Sequence, residues 1–232
     1  MEPIKKAIPN LFTLANLSCG TIGIILSFQG EIETACYLIW LAAGFDFLDG
    51  FLARILKAQS EIGKQLDSLA DLITFGLLPS ILYYHMLVGK IDSPLEYVGV
   101  LIAVFSALRL AKFNIDENQT TSFTGLTTTA NGIFTSTLPL IIVGNTFMSS
   151  FLANEWMLFT CAVVFSLLMV APVTLLSFKF SNFSVKDNWQ RFLLILLSIV
   201  LIVIFKTAAV PLIIVVYLLL SVVSQPVHKK VP

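Results

Sequence analysis

Charge is what this sequence has least of: 14 Lys and Arg and 14 Asp and Glu in 232 residues, or 12% charged against 57% hydrophobic, with a mean hydropathy of +0.91. A soluble domain of this length needs a far more charged surface, so that class is excluded. The two signs cancel to a net charge of zero, which removes the basic field a nucleic-acid partner would require. Cysteine is scarce too. Cys19, Cys36 and Cys161 stand far apart in apolar stretches, which excludes a disulfide framework or a thiolate metal site and leaves small buried hydrophobes. The only histidines are His85 and His228, and the predicted topology sets both far from the acidic residues that carry the chemistry. The first apolar run lacks a small-x-small cleavage site and leads into further spans, so it reads as a retained helix and not a removed signal peptide.

What is present is a series of apolar runs near the ~20 residues a helix needs to cross a bilayer. Polar breaks divide them into eight helices, at about Leu11–Phe28, Glu33–Leu56, Lys64–Val88, Leu95–Phe113, Ala130–Phe147, Glu155–Phe178, Trp189–Phe205 and Ala208–Val223. Lys206 interrupts the last apolar region, and Pro211 favours a helix restart there. The predicted fold is an all-α polytopic transmembrane bundle, residues 1–232 forming one membrane domain. Its hairpin at about residues 33–88 holds the chemistry, and the helices at about 189–223 are a C-terminal addition. With the N-terminus inside, Lys5, Lys6, Arg54, Lys57, Lys64, Arg109, Lys112, Lys179, Lys186, Arg191, Lys229 and Lys230 fall on the inner side, leaving Lys90 and Lys206 outside. This asymmetry places both termini in the cytoplasm of a cell whose inner membrane the chain spans.

The informative segment runs Asp46-Phe47-Leu48-Asp49-Gly50-Phe51-Leu52-Ala53-Arg54, then Gly63-Lys64-Gln65-Leu66-Asp67-Ser68-Leu69-Ala70-Asp71. On a helix, Asp46, Asp49, Gly50, Ala53 and Arg54 share one face, and Asp67 and Asp71 share a face of the next helix. The short linker predicts antiparallel helices. Counting from its middle puts Asp49 level with Asp71, Asp67 about one turn nearer the cytoplasm and Asp46 about one turn deeper. Carboxylates within a span are costly and face a partner or a watery cavity. Four together repel and call for cations, and an all-oxygen ligand set suits Mg²⁺ or Mn²⁺. Two such ions would bridge a pyrophosphate and offset the charge of an in-line displacement. Gly50 and Ala53 leave room for a nucleotide, and Arg54 offers a fork for phosphate oxygens. A lone Asp at a helix end is usually a cap, and Arg54 or Lys64 alone would be a positive-inside anchor; only the set carries the reading.

The spacing from Asp46 to Asp71, Asp-x2-Asp-Gly-x2-Ala-Arg-x8-Gly-x3-Asp-x3-Asp, resembles the signature of the CDP-alcohol phosphotransferase family. The resemblance implies transfer of a phosphatidyl-type group from a CDP-linked donor to an alcohol with release of CMP. It also implies a two-metal site and a homodimer of six-helix cores. It makes Asp46, Asp49, Asp67 and Asp71 metal ligands, with Asp71 the general base, and sets Asp49, Gly50, Ala53, Arg54 and Gly63 at the CDP moiety. Asn10 and Thr13, beside Pro9 at the start of the first helix, are placed either as caps or as nucleotide contacts.

For the acceptor, Ile8–Gly20 and Arg109-Leu110-Ala111-Lys112-Phe113-Asn114-Ile115 resemble stretches of the membrane-embedded phosphatidylserine synthases of that family. Phe123-Thr124-Gly125-Leu126 is similar to a Phe-x-Gly-Leu-Pro element, with Thr127 where Pro is expected. This likeness spans Ile8 to Phe134 and implies CDP-diacylglycerol and L-serine as substrates. Arg109 and Lys112, three apart, can meet on one helix face to hold a carboxylate, and Asn114 can bond the ammonium or carboxylate. The plain alternative makes the two cations anchors at the inner surface. A glycerol 3-phosphate or inositol phosphate acceptor would want more clustered basic residues. A cation transporter would want polar residues through the membrane depth and repeated halves, which are missing.

Overall fold

The structure, a computed structural model, describes residues 2–115, 123–144, 148–176 and 185–223. The expected helix ends at Phe147 and Phe178, and Lys179, His228, Lys229 and Lys230, lie outside the described residues. Helix α1 spans Glu2–Phe28 and turns at Gly30, whose φ of 86° suits glycine, into α2, Ile32–Ile55. After a reversal at Lys57, α3 (Glu61–Asp71) runs through one π-helical stretch, Leu72–Leu77, into α4 (Leu78–Leu87). A 3-10 turn at Leu95–Gly99 leads into α5, Val100–Ile115. Then follow α6 (Thr128–Val143), a short α7 (Ser149–Leu152), α8 (Glu155–Val170), α9 (Val185–Phe205) and α10 (Ala209–Val223).

Among the described residues, five stretches are long and apolar enough to cross a membrane: Lys5–Phe28, Ile32–Ile55, Glu61–Leu87, Leu95–Ile115 and Asn188–Ser221. Helices α6 and α8 are apolar but shorter. The last long stretch is not one rod. Lys206 takes a left-handed φ of 50° and α9 and α10 pack against each other, so the chain breaks there as the sequence predicts. The protein is a multi-pass membrane bundle, and the helical fold class holds.

Two boundaries differ most from expectation. Helix α1 begins well before Leu11, with Pro9 inside it, so Asn10 and Thr13 are not caps of this helix. Helix α8 stops at Val170 and not near Phe178, because Pro172 disfavours the α region at Ala171, whose ψ is 140°. The freed segment forms β2 (Thr174–Leu175), antiparallel to β1 (Phe123–Thr124), two short strands within an otherwise helical bundle. Thr127, standing where Pro was expected, accepts the Ala130 amide and caps α6.

The π-stretch sits at the centre of the packing, against α1, α5 and α6 as well as its own neighbours. Small residues from three helices let it in. A Cβ on Gly20 would stand 2.2 Å from Thr74 Oγ1, one on Gly132 2.9 Å from Phe75 Cδ1, and Ser106 lies beside Gly76. Such small-residue contacts are how helices approach closely in lipid. The contact at Gly20 also touches backbone, 2.8 Å from Thr74 Cα, so the neighbour cannot simply rotate away. Gly20→Ala is therefore expected to cost about 1–3 kcal/mol through overpacking, read as a lowered thermal midpoint in detergent, with an unchanged midpoint counting against this packing.

Candidate active site

The site grows from α2 and α3, but a third helix completes it. Helix α1 packs along α2 and also against α3 and the π-stretch. Thr13 Oγ1, on α1, donates to Asp49 Oδ2 at 2.7 Å, with the Pro9 carbonyl at 3.3 Å. One turn further along α1, Asn16 Nδ2 donates to Asp71 Oδ1 at 3.2 Å. The backbone carbonyl of Asn16 accepts from Thr74 Oγ1 at 3.1 Å, which ties α1 to the π-stretch that begins directly after Asp71. From the other side, Thr129 Oγ1 donates to Asp46 Oδ2 at 3.4 Å.

Asp46, Asp49 and Asp67 each bring a carboxylate oxygen within 4.8 Å of the others. Asp49 and Asp71 are buried, 6% and 7% exposed, and Asp46 and Asp67 are half-buried. The expected depth order is corrected here. Asp49 stands six residues before the end of α2 and Asp67 six residues after the start of α3, so these two are level, and Asp46 pairs in depth with Asp71. Residues 56–60 are turn and extended chain, capped into α3 when Ser60 Oγ accepts the Gly63 amide at 3.0 Å. They do not advance at a helical rise, which is why counting from the linker's middle misplaced the levels.

Beside the carboxylates lies a cavity of about 450 Å³, lined by Asn10, Thr13, Asp49, Gly50, Ala53 and Gly63 together with Lys64, Asp67 and Phe113. Six of the seven residues expected at the CDP moiety thus share one cavity. Arg54, the seventh, is exposed at the end of α2 and outside that lining. A Cβ added at Gly50 would meet open space, whereas at Gly63 it would lie 3.2 Å from Asn10 Oδ1. Gly50 therefore keeps the floor low, and Gly63 lets α1 come close.

The residues expected at the acceptor separate. Arg109 is half-buried, within electrostatic reach of Asp71, and donates through Nη1 to Thr128 Oγ1 at 3.4 Å. Its Nε is buried with no hydrogen-bond partner among the described residues. Lys112 is exposed, and no described contact joins it to the carboxylates. Asn114 is held against α3, its Nδ2 donating to Ser68 Oγ at 2.9 Å and to Gln65 Oε1 at 3.4 Å, while its carbonyl accepts from Lys64 Nζ at 2.9 Å.

Whether this donor set fits a divalent ion can be tested on its own atoms. The donors are all hard oxygens, and opposed ligands around an Mg²⁺-sized ion, at about 2.1 Å each, stand about 4.2 Å apart. The spread of up to 4.8 Å accommodates that. Asp67 Oδ1 and Asn16 Oδ1 are buried without a hydrogen-bond partner among the described residues, a costly state that an ion or a substrate group relieves. The residues fit. A cluster of this kind, set against a cavity floored by small residues, defines a membrane protein able to hold a divalent cation beside a nucleotide-sized ligand.

Comparison with known proteins agrees. The CDP-alcohol phosphatidyltransferase family matches residues 6–168, and the chain belongs to that family. It is 34% identical over 176 residues to the CDP-diacylglycerol–serine O-phosphatidyltransferase of Bacillus subtilis, covering 74% of this chain and 91% of the relative. The enzyme of the same name from Helicobacter pylori (strain ATCC 700392 / 26695) is 31% identical over 202 residues, 84% of this chain and 80% of the relative. An archaetidylserine synthase of Methanothermobacter thermautotrophicus is 40% identical over 127 residues, 52% of each chain.

The sequence reading missed Asn16, Thr128 and Thr129, the polar partners that arrange the carboxylates and Arg109. Asn16 carried one legible signal: it is an amide inside an apolar span, one turn beyond Thr13.

Proposed function

We propose that the protein transfers the phosphatidyl group of CDP-diacylglycerol to the hydroxyl of L-serine, giving phosphatidylserine and CMP. The observation that carries the reading is the cluster of Asp46, Asp49 and Asp67 oxygens opening onto the cavity lined by Asn10, Thr13, Gly50, Ala53 and Gly63. The names of the relatives support serine as acceptor. So does Arg109, a half-buried cation within electrostatic reach of Asp71 whose Nε has no partner among the described residues, suited to a carboxylate.

In this reading Asp71 accepts the proton of the serine hydroxyl, held towards it by the amide of Asn16. The serine oxygen forms a bond to the lipid-side phosphorus, the bond from that phosphorus to the bridging oxygen breaks, and CMP leaves with the electron pair. Asp46, Asp49, Asp67 and Asp71 would hold two divalent ions, Mg²⁺ or Mn²⁺, which when bound offset the charge of the pyrophosphate and of the leaving CMP. Arg54, near the cavity's end of α2, supplies a fork to phosphate oxygens, and Gly50 and Ala53 let the nucleotide lie against the helix. Arg109 holds the serine carboxylate, with Asn114 and Lys112 at the outer edge of that subsite. The active site and both termini face the cytoplasm, which keeps the donor's acyl chains in lipid while its pyrophosphate reaches the aspartates.

The test gives purified protein CDP-diacylglycerol with Mg²⁺ or Mn²⁺ and, in turn, serine, glycerol 3-phosphate and inositol phosphate. CMP release is expected with serine alone. Release driven by either phosphorylated acceptor and absent with serine would overturn the assignment.

A further inference from the structure

Helices α9 and α10 lie beyond the residues that the family matches, yet α10 is bonded to the segment leading into the site. Two α10 side chains take up both backbone groups of Leu176, the residue directly after β2. Ser221 Oγ accepts the Leu176 amide at 3.0 Å, and Tyr217 O–H donates to the Leu176 carbonyl at 3.2 Å. The two are themselves linked, because the Ser221 hydroxyl donates to the Tyr217 carbonyl at 2.7 Å. Ser221 is buried. Buried backbone groups need partners, so these bonds fix where the chain can run.

From Leu176 the connection is short. Strand β2 pairs with β1, the Gly125 amide donates to the Val173 carbonyl at 2.9 Å, and the Leu126 amide donates to the Leu168 carbonyl of α8 at 2.9 Å. Gly125 has a φ of 75° and so little clearance that an added Cβ would stand 2.4 Å from the Met169 carbonyl oxygen. This turn therefore has one position. Thr127 follows as the cap of α6, then Thr128 and Thr129, which bond Arg109 and Asp46. Helix α10 also packs on α6 itself.

We propose that Tyr217 and Ser221 are positioning residues for the acceptor subsite. They hold β2, and through β1 and Gly125 they set the start of α6, whose Thr128 aims the Arg109 guanidinium. The C-terminal hairpin is then a brace for acceptor binding, and none of its residues lines the donor cavity. The proposal rests on the reading of Arg109 as the serine-carboxylate ligand.

The test uses the full chain in lipid nanodiscs with Tyr217→Phe and, separately, Ser221→Ala, so that one variant remains should the other fail to fold. Two readouts are taken. Hydrogen exchange of a peptide spanning residues 123–127 is expected to quicken in each variant, since the Gly125 amide loses its fixed acceptor on Val173, beside β2. Steady-state kinetics are expected to show the KM for serine raised about three- to tenfold, with kcat and the KM for CDP-diacylglycerol within twofold. A general loss of stability would lower the active fraction, and so the apparent kcat, while leaving both KM values unchanged. Unchanged exchange overturns the brace whatever the kinetics show. Quickened exchange with an unchanged serine KM overturns its link to the acceptor. Arg109→Lys then separates the causes: if it raises the serine KM the brace alone is wrong, and if it does not, the acceptor role of Arg109 falls with it.

Discussion

Asp71→Asn is expected to lower CMP release by about a thousandfold, within the 10²- to 10⁴-fold range that a positioned general base contributes. The substitution preserves shape but removes both the ability to accept a proton and one anionic ligand for metal. The carboxylate is buried, it accepts the Asn16 amide at 3.2 Å, and the π-stretch behind it is fixed by the bond from Thr74 to the Asn16 carbonyl. An amide at this position keeps an oxygen for Asn16, so the chain should still fold, and in chelator, with one buried charge removed, it should melt no lower than the wild type. Because Asp71 lies outside the lining of the donor cavity, the KM for CDP-diacylglycerol should change only a few-fold while kcat falls. That split separates loss of the base from loss of the nucleotide site. Turnover near the wild-type rate would take the proton-accepting role away from Asp71. Asp46 would then be the next group to test, being half-buried and bonded to Thr129.

The sequence made the chemistry legible and left its supports hidden. Helix existence followed from apolar runs, and the break at Lys206 was readable because a cation in the middle of such a run has no other cheap place. The motif from Asp46 to Asp71 brought Asp49, Gly50, Ala53, Gly63 and Asp67 to one cavity, since fixed spacing on regular helices fixes which residues share a face. Depth was misread because a five-residue linker is not helix, and its contour cannot be taken from residue count. Asn16, Thr128 and Thr129 were passed over since each is a small polar residue in an apolar or Thr-rich setting, and only tertiary contact shows what it bonds. The π-stretch is likewise invisible to periodicity. It depends on Gly20, Gly132 and Ser106, which three different helices bring to one place. Gly125 was marked as part of a motif, while its reason, the carbonyl of Met169 pressed against it, lies 44 positions away in the chain.

Removing divalent metal is expected to abolish turnover, and the sharper consequence is for stability. Three carboxylates with oxygens within 4.8 Å repel by roughly 3 kcal/mol per ionised pair at an effective dielectric of about 20. Thr13 and Thr129 offset part of this by hydrogen bonding, but Asp67 Oδ1 has no such partner among the described residues. Without a cation the cluster therefore strains the fold, and binding one should raise the thermal midpoint as the ion concentration exceeds its dissociation constant. Neutralising one member reverses the order. In chelator, Asp67→Asn should melt above the wild type, because a charge without a partner has become an amide. In millimolar Mg²⁺ or Mn²⁺ it should gain little, while the wild type gains several degrees, and its CMP release should stay near background. Ca²⁺, larger and less demanding in geometry, should raise the wild-type midpoint with little turnover. Equal melting of wild type and Asp67→Asn under both conditions would mean that the cluster holds no ion. The carboxylates would then need another explanation for their burial.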